Sequence, residues 1–339
     1  MNAFDTPSQD KNSFAMAYAW GQYRVYAHTS RKKKKTLVTW RFIVVMLGIA
    51  GAFLGLLCQD TARLLEVCEF NQTLFFCKVS KGIWDRMPDF LRGYSHFAPK
   101  ILGALSALVL GLATYFGKEL VSPEQEREWI RSRSTAESLK AEVYKFLTNT
   151  APYNDDDKAK RLLKETEKRL ESVKDIPYVN LSEEEKLKRL PSDLSTVEDY
   201  IKQRVNDQIE EFYRPRSEEY TRRMELIKHI GLVIGVVVIF LGALGATGWT
   251  AGWVAFFTTI TASIAAYAYA GRYQYLIISY QATANRLELL RTRWQASGMT
   301  DGDAEQRNRF ILDCEEAISI ENSAWMAKTT KERGDAVES

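Results

Sequence analysis

Four long apolar runs that contain no charged side chain decide what this chain can fold into. A hydrocarbon core about 30 Å thick requires roughly 20 helical residues to cross it, and a charged side chain at its centre is costly. A buried helix of a soluble protein can also be apolar on every side, but four such runs in one chain favour a membrane. With their apolar flanks, the runs predict transmembrane helices over about residues 38–58, 98–117, 229–249 and 250–271.

The four predicted spans form two pairs, and the segments between and after the pairs are highly charged. The mean hydropathy of -0.27 therefore averages a membrane part with a large part that faces water. The predicted fold class is an all-α integral membrane protein with four transmembrane helices, arranged as two hairpins, plus a cytoplasmic bundle of amphipathic helices. The lipid bilayer is accordingly its first expected partner.

A run of five basic residues precedes the first span and predicts the orientation of the chain. Positive charge beside a span holds that flank in the cytoplasm, so four spans place both termini inside a bacterial inner membrane. Binding of the run to anionic lipid or nucleic acid is the alternative interpretation, although a net charge of +3 gives no case for a nucleic-acid protein. The run consists of Arg31, Lys32, Lys33, Lys34 and Lys35.

Cysteine and histidine usage constrains the outer loop and argues against a metal site. Cys68 and Cys77 lie in the predicted outer loop, where an oxidising compartment would allow a disulfide. Two free thiols are the open alternative. His28, His96 and His229 are scattered along the chain, so we expect no bound metal.

No enzyme constellation stands out in the sequence. It contains no phosphate-binding GxxxxGK[ST], no GxGxxG, no GxSxG and no HExxH pattern. The carboxylate runs 155–157 and 183–185 lie beside lysines and are typical of solvated helix caps and faces. We therefore expect a protein that is not an enzyme and that carries no cofactor.

Two features within the spans point to helix packing and to a polar face. Small residues four apart allow helices to approach closely, which makes Gly51, Gly55, Gly231 and Gly235 candidate packing positions. In the fourth span, three hydroxyl side chains recur at four-residue steps and share one face, which suggests the lining of a wet path in an oligomer. The alternative is that these hydroxyls bond to the carbonyls of their own helix. The face consists of Thr259, Ser263 and Tyr267.

Amphipathic stripes follow each pair of spans. After the second span, a helix is predicted to begin near Pro123, which is favoured in a first turn. A capping box over Ser195 and Glu198 predicts the start of another helix before the third span. The stripes indicate core packing among cytoplasmic helices, and the clearest one consists of Trp129, Ala136, Leu139, Val143 and Phe146.

The sequence predicts a tandem repeat of one structural arrangement, in which two spans are followed by amphipathic helices. Thr-Ala-x-x-Leu begins at Thr135 and again at Thr283, and the same offset sets Phe146 against Trp294. The predicted organisation is a first two-span domain, a linker with two prolines, a second two-span domain and a tail. Their ranges are 1–175, 176–195, 196–330 and 331–339.

Several segments resemble a known bacterial family. Those over residues 129–133, 136–142 and 151–153 resemble the first of the SLATT domains, whose name abbreviates "SMODS and SLOG-associating two-transmembrane effector". The second half, from Arg204 to Trp325, resembles another SLATT subfamily. The resemblance therefore implies tandem SLATT domains of two different subfamilies.

The resemblance implies a membrane effector in bacterial defence or conflict. Such an effector is expected to form a homo-oligomer and to permeabilise the membrane on a cytoplasmic signal, with a nucleotide-signal or sensor protein as partner. A regulated physiological ion channel is one alternative. A non-conducting membrane scaffold for cytoplasmic signalling partners is another.

Overall fold

The computed structural model describes residues 7–70, 97–191, 194, 196–244, 248–298 and 303–319. These residues form helices and no strand, which confirms the predicted all-α fold. Four helical stretches are long and apolar enough to cross a membrane, and this confirms that the chain is a membrane protein. They are Lys11–Glu66, Ala98–Leu147, Val197–Ala243 and Thr250–Ala296.

The helices are numbered here in chain order, with one π-helix between α6 and α7. They are α1 (Pro7–Phe70), α2 (Ala98–Leu120), α3 (Pro123–Leu147), α4 (Lys158–Glu171), α5 (Glu183–Leu187), α6 (Val197–Tyr200), the π-helix (Ile201–Tyr213), α7 (Arg214–Ala243), α8 (Gly248–Ala270), α9 (Tyr273–Ala296) and α10 (304–319).

The chain divides into two compact units, each of which takes segments from both halves of the sequence. The span unit consists of Leu37–Ser122 and Arg223–Arg272, and it contains the four apolar runs. The bundle unit consists of the remaining segments, Met1–Thr36, Pro123–Arg222 and Tyr273–Ser339.

Within the span unit, α1 packs against α2 and α8. The rings of Trp40 and Phe116 lie 5.3 Å apart, and the ring of Phe53 lies 5.4 Å from that of Phe256. Arg41 Nη1 donates to the carbonyl of Ala270 at 3.1 Å, close to the end of α8. These contacts connect the first span to the second and the fourth.

The core of the bundle unit is formed by the predicted stripes. All five members of the α3 stripe are buried, and so are Tyr273, Leu276, Tyr280, Ala284 and Leu287 on α9. Burial of an apolar side chain stabilises the fold by about 1.5–3 kcal/mol. The interpretation of these stripes as core packing is therefore confirmed for α3 and α9.

One helix start differs in detail from the sequence pattern. The capping box before α6 uses Thr196 and Asp199, one residue later than the predicted pair. The Thr196 side chain accepts from the Asp199 backbone N–H at 3.1 Å, and the Asp199 carboxylate accepts from the Thr196 backbone N–H at 3.2 Å. The prediction was wrong by one residue because Thr and Asp satisfy the same capping chemistry as Ser and Glu.

Candidate functional site: a buried ion-pair network beside a cavity

The candidate site begins with the buried face of the π-helix, which is largely apolar and contains one charged residue. The π-helix places Ile201, Val205 and Ile209 in the core of the bundle unit, and each is almost fully buried. Arg204 lies on the same face, and its side chain has no exposure to solvent. A π-helix of 13 residues is long, because such helices appear mostly as single turns and often at functional sites.

Arg204 is held by a carboxylate from α10. Its Nε donates to Glu315 Oε1 at 2.9 Å, and its Nη2 donates to Oε2 at 2.8 Å. The Tyr200 hydroxyl donates to the same Oε1 at 2.9 Å. This two-point geometry is the strongest arrangement available to an arginine and a carboxylate.

Aromatic rings complete the surroundings of Arg204. The guanidinium carbon lies 4.8 Å from the ring centre of Tyr144, a cation–π distance. Burial raises the pKa of Tyr144 to about 12, so its ring stays neutral at physiological pH. Burial alone would lower the pKa of Arg204, but the adjacent Glu315 carboxylate outweighs that effect and raises it. The arginine therefore remains charged inside the bundle.

A second buried carboxylate, Glu142 on α3, has three partners of its own. Its oxygens accept from Lys145 Nζ at 2.6 Å, from Arg169 Nη2 at 2.5 Å and from the Tyr153 hydroxyl at 2.6 Å. Burial by itself would raise the pKa of Glu142, but Lys145 and Arg169 outweigh burial and lower it. Glu142 is therefore a stable anion with its charge already compensated.

A cavity of about 300 Å³ lies between α3, α4 and α10, and both buried carboxylates line it. Lys145 and Arg169 line one part of the wall, while Glu137 and Glu316 supply two further carboxylates. This volume is at the lower end of the range for small-molecule sites. In the part of the chain that the structure describes, no group of three or more His, Cys, Asp or Glu side chains has a metal-binding arrangement.

The predicted hydroxyl face lies on α8 in the span unit, away from this network in the sequence. The Thr259 side chain is exposed in the single chain, and its hydroxyl donates to the carbonyl of Ala255 at 2.9 Å. Thr258 and Thr261 make the same kind of bond to carbonyls four residues earlier. Ser263 and Tyr267 are partly exposed. Whether the face lines a conducting path stays a prediction.

The two glycine pairs have different surroundings. A Cβ added at Gly51 would lie 2.7 Å from the Leu110 side chain, and one added at Gly55 would lie 3.3 Å from Ser106 Oγ. Gly231 and Gly235 have no heavy atom within 4 Å of the position of an added Cβ. Within one chain, the first pair is therefore in close contact with α2, while the second pair faces open space.

Some side chains of the basic run contact other residues of the bundle unit, and the others are exposed to solvent. Lys33 forms an ion pair with Glu128 at 2.7 Å. Lys34 donates to the Tyr220 hydroxyl at 3.1 Å and lies 5.5 Å from the ring centre of Trp129. Lys33 and Lys34 thus have structural partners in the bundle unit. The exposed members are Arg31, Lys32 and Lys35.

The cysteine prediction falls outside what the structure describes. Cys77 and the side chain of Cys68 are not among the described residues, so their pairing stays open. The other two cysteines are free: the Cys58 thiol donates to the carbonyl of Pro99 at 3.0 Å, and Cys314 is buried in the bundle unit.

Sequence reasoning missed the buried network of Arg204, Glu315 and Glu142. A signal for it existed, because each glutamate lies on a buried apolar face at three- and four-residue steps. Glu315 lies between Ile311 and Ile318, and Glu142 lies between Leu139 and Phe146. A charged residue at a core position is rarely left without a partner. Which charges would pair depended on the packing of helices far apart in the chain.

In comparison with known proteins, each half of the chain is similar to a different family model. Residues 200–325 match the family model described as "SMODS and SLOG-associating 2TM effector domain 1", and this confirms one SLATT-like domain. Residues 21–161 match the model described as "Protein of unknown function (DUF4231)". No curated protein and no solved structure matches the chain. The second half is therefore similar to a two-transmembrane effector domain, which agrees with a membrane effector.

Proposed function

We propose that this chain is a membrane effector of bacterial defence or conflict, which forms a homo-oligomer and permeabilises the inner membrane on a cytoplasmic signal. The match of residues 200–325 to an effector domain supports the class. The observation that carries the self-association step is the uncovered apolar surface of the third span.

That surface belongs to the apolar part of α7. In the single chain, Ile239 is 72% exposed and Leu232 is 68% exposed, and no residue in the most apolar part of this stretch is buried. Hydrocarbon or another protein must cover such a surface. Because Gly231 and Gly235 leave open space on one side of the helix, a second copy of α7 can approach its backbone closely.

The two halves also support a tandem arrangement of SLATT-like domains from two subfamilies, with 1–175 as the first. The repeated Thr, Ala and Leu positions are buried in both copies, at Thr135 and Leu139 on α3 and at Thr283 and Leu287 on α9. Equivalent burial at equivalent positions is what a structural repeat produces. The bundle unit would then receive the signal from a nucleotide-signal system or sensor protein, with both termini in the cytoplasm.

The test of this function is inducible expression in bacteria while membrane potential and growth are followed. We expect depolarisation and growth arrest in the wild type once the signal is present. Replacing both Gly231 and Gly235 with Leu should abolish depolarisation and reduce cross-linked oligomers, because the larger side chains keep the helices apart. The matched control is Val233→Leu, which adds bulk to the same helix about 200° away from Gly231.

Two experimental outcomes would contradict this function and favour another one. Ion flux without growth arrest would identify a regulated physiological channel instead. Normal membrane potential at full expression, even with the signal present, would favour a membrane scaffold that anchors its partners.

The hydroxyl face of α8 would line the conducting path. A Thr hydroxyl that donates to its own helix keeps lone pairs that can accept from water, so the bonds seen at Thr259 are compatible with a wet path. Replacing Thr259 and Ser263 with Val and Ala removes the hydroxyls, and a more apolar lining favours dewetting. We expect flux to fall at unchanged expression, whereas Thr258→Val, on another side of α8, should leave it unchanged.

A further inference from the structure

We propose that an anionic phospholipid binds to one face of α1, where exposed basic residues are followed by exposed apolar ones. The basic residues belong to the run that precedes the first span, and the apolar ones belong to the span itself. This inference does not depend on conduction, because it concerns a lipid that the protein binds whether or not the membrane is permeabilised.

The five residues of the basic run have different surroundings. Lys33 and Lys34 each bond to another side chain of the bundle unit, at 2.7 and 3.1 Å. The other three are exposed, and they form no ion pair with a described residue. They are Arg31, Lys32 and Lys35. Three positive charges of the run are therefore available to a ligand.

These charges lie on the same side of α1 as exposed apolar residues. A helix turns about 100° per residue, so Arg31, Lys35 and Phe42 fall within about 40° of one another. Phe42 is 54% exposed, and Met46, one turn further along, is 46% exposed. About 10 Å along the helix axis separate Lys35 from Phe42. One face of α1 therefore changes from positive to apolar over a distance close to that of one lipid headgroup layer.

Other residues indicate where the membrane border crosses α1. Trp40 lies with its ring 5.3 Å from that of Phe116, and tryptophan is enriched at membrane–water interfaces. A Cβ added at Gly117 would lie 3.6 Å from Val44, so this part of α1 lies beside the last turn of α2, where charge reappears at Lys118. The border thus crosses α1 after the basic run and close to the first exposed apolar residues.

This arrangement fits an anionic phospholipid better than it fits the other partners of a basic face. Lipid phosphates pair with guanidinium and ammonium groups, while acyl chains pack on Phe42 and Met46. A nucleic acid offers phosphates, but it has no hydrocarbon chain for the apolar part of the face. Two-fold pairing with a second copy of α1 would bring like charges together, which is unfavourable.

The experiment is native mass spectrometry of the full-length protein in an uncharged detergent. Phosphatidylglycerol and phosphatidylcholine with identical acyl chains are the probes, so that the two lipids differ only in the headgroup. We expect phosphatidylglycerol to bind about tenfold more tightly, and this preference to decrease as the concentration of ammonium acetate is raised.

The variant that tests the face carries Arg31→Gln and Lys35→Gln, and it leaves three basic residues of the run to orient the chain. We expect its preference for phosphatidylglycerol to fall below about threefold. The matched control carries Lys33→Gln and Lys34→Gln, which removes the same charge from the same run but not from the exposed face. Its preference should equal that of the wild type. A variant that keeps the charges, Arg31→Lys with Lys35→Arg, should also equal the wild type.

Four outcomes would overturn the proposal. Equal loss of preference in the two glutamine variants would mean that the charge of the run matters and its exposed face does not. Equal binding of the two lipids by the wild type would remove the role of the phosphate charge. Binding of a single-stranded oligonucleotide that phosphatidylglycerol does not displace would identify a nucleic acid as the partner. A dimer that excludes the lipid and is lost in the Arg31→Gln, Lys35→Gln variant would identify a second copy.

Discussion

The two units of this protein place charge and hydrocarbon in opposite ways. In the bundle unit, the Arg204 side chain is wholly buried and bonded on two sides to Glu315. In the span unit, Ile239 is 72% exposed. Buried charges require partners in a protein interior, and large exposed apolar surfaces are rare on proteins in water. The difference shows that the bundle unit is suited to water and the span unit to hydrocarbon.

The units also differ in what keeps neighbouring helices together. The bundle unit uses buried side-chain networks in addition to its apolar core, as at Glu142 with Lys145, Arg169 and Tyr153. In the span unit, the Ser106 hydroxyl donates to the backbone carbonyl of Gly51 at 2.8 Å. Close backbone approach is a common way to join helices where the surrounding lipid is as apolar as the side chains.

The largest effect is expected from breaking the network of the bundle unit at one residue. Arg204→Met leaves the Glu315 carboxylate buried without its cation, and we expect the free energy of unfolding to fall by about 3–5 kcal/mol. The measurement is urea unfolding of the detergent-solubilised protein, followed by near-UV circular dichroism. The control is Arg214→Met, which removes an exposed ion pair with Glu288 and should cost less than about 1 kcal/mol.

A second variant separates loss of the pair from loss of one partner. Replacing Arg204 with Met and Glu315 with Leu removes both charges, so the double variant should be more stable than Arg204→Met alone. Equal destabilisation by Arg204→Met and Arg214→Met would mean that the buried pair contributes no more than a surface pair. The contrast between the units would then rest on the span unit alone.

An intermediate effect is expected in the span unit, from a methyl group added at Gly51. The new Cβ would lie 2.7 Å from the Leu110 side chain, so α1 and α2 must move apart or repack. Overpacking of this kind costs about 1–3 kcal/mol. The measurement is unfolding by sodium dodecyl sulfate in mixed micelles.

Gly231→Ala is the matched control, since its added methyl group meets open space in one chain. It should be neutral or slightly stabilising in dilute, monomeric protein, because Ala is a better helix former than Gly. A loss of stability at Gly231 as large as that at Gly51 would show that the monomer already covers this face.

The fold could be predicted from the sequence because its main signals are local. Charge-free runs identify the spans, and apolar periodicity identifies the cores of α3 and α9. The continuity of α1 from Pro7 to Phe70 was not predicted, since the polar residues before the span gave no sign that the helix would pass into it unbroken. Helix ends were predicted to within a few residues, as at Pro123.

The site could not be predicted, because its pairings join distant parts of the chain. Arg204 and Glu315 are 111 residues apart, and each looks like an ordinary surface charge until its neighbours on the helix are counted. The glycine pairs also show that local sequence does not predict tertiary contacts, because two identical patterns have different surroundings. Gly51 and Gly231 each begin the same four-residue spacing, but among the described residues only a Cβ added at Gly51 would meet a side chain of another helix within 4 Å. Local sequence does not tell which helix lies opposite.

The smallest effect is expected at Lys140, a half-buried cation of the bundle unit that forms no ion pair with a described residue. Burial lowers its pKa from 10.5 to about 8. Below pH 8 the folded and unfolded chains both bind the proton. Between pH 8 and 10.5 the unfolded chain still binds it while the folded chain has released it, so this residue makes stability rise with pH in that window.

Lys140→Met keeps an unbranched side chain, one heavy atom shorter, and removes the charge. At pH 7 we expect the free energy of unfolding to increase by about 1–2 kcal/mol, since the folded state no longer desolvates an ammonium group. The gain over wild type should then shrink as the pH is raised from 8 to 10. Urea unfolding at each pH measures it, with the exposed Lys168→Met as the control that should show no gain. A gain that does not change with pH would mean that Lys140 is as well hydrated in the fold as in the unfolded chain. Lys140 would then no longer be a desolvated charge without an ion-pair partner, and the charges that the described part of the bundle unit buries would all be ones with carboxylate or arginine partners. The contrast with the span unit, which exposes apolar side chains, would then hold without this exception.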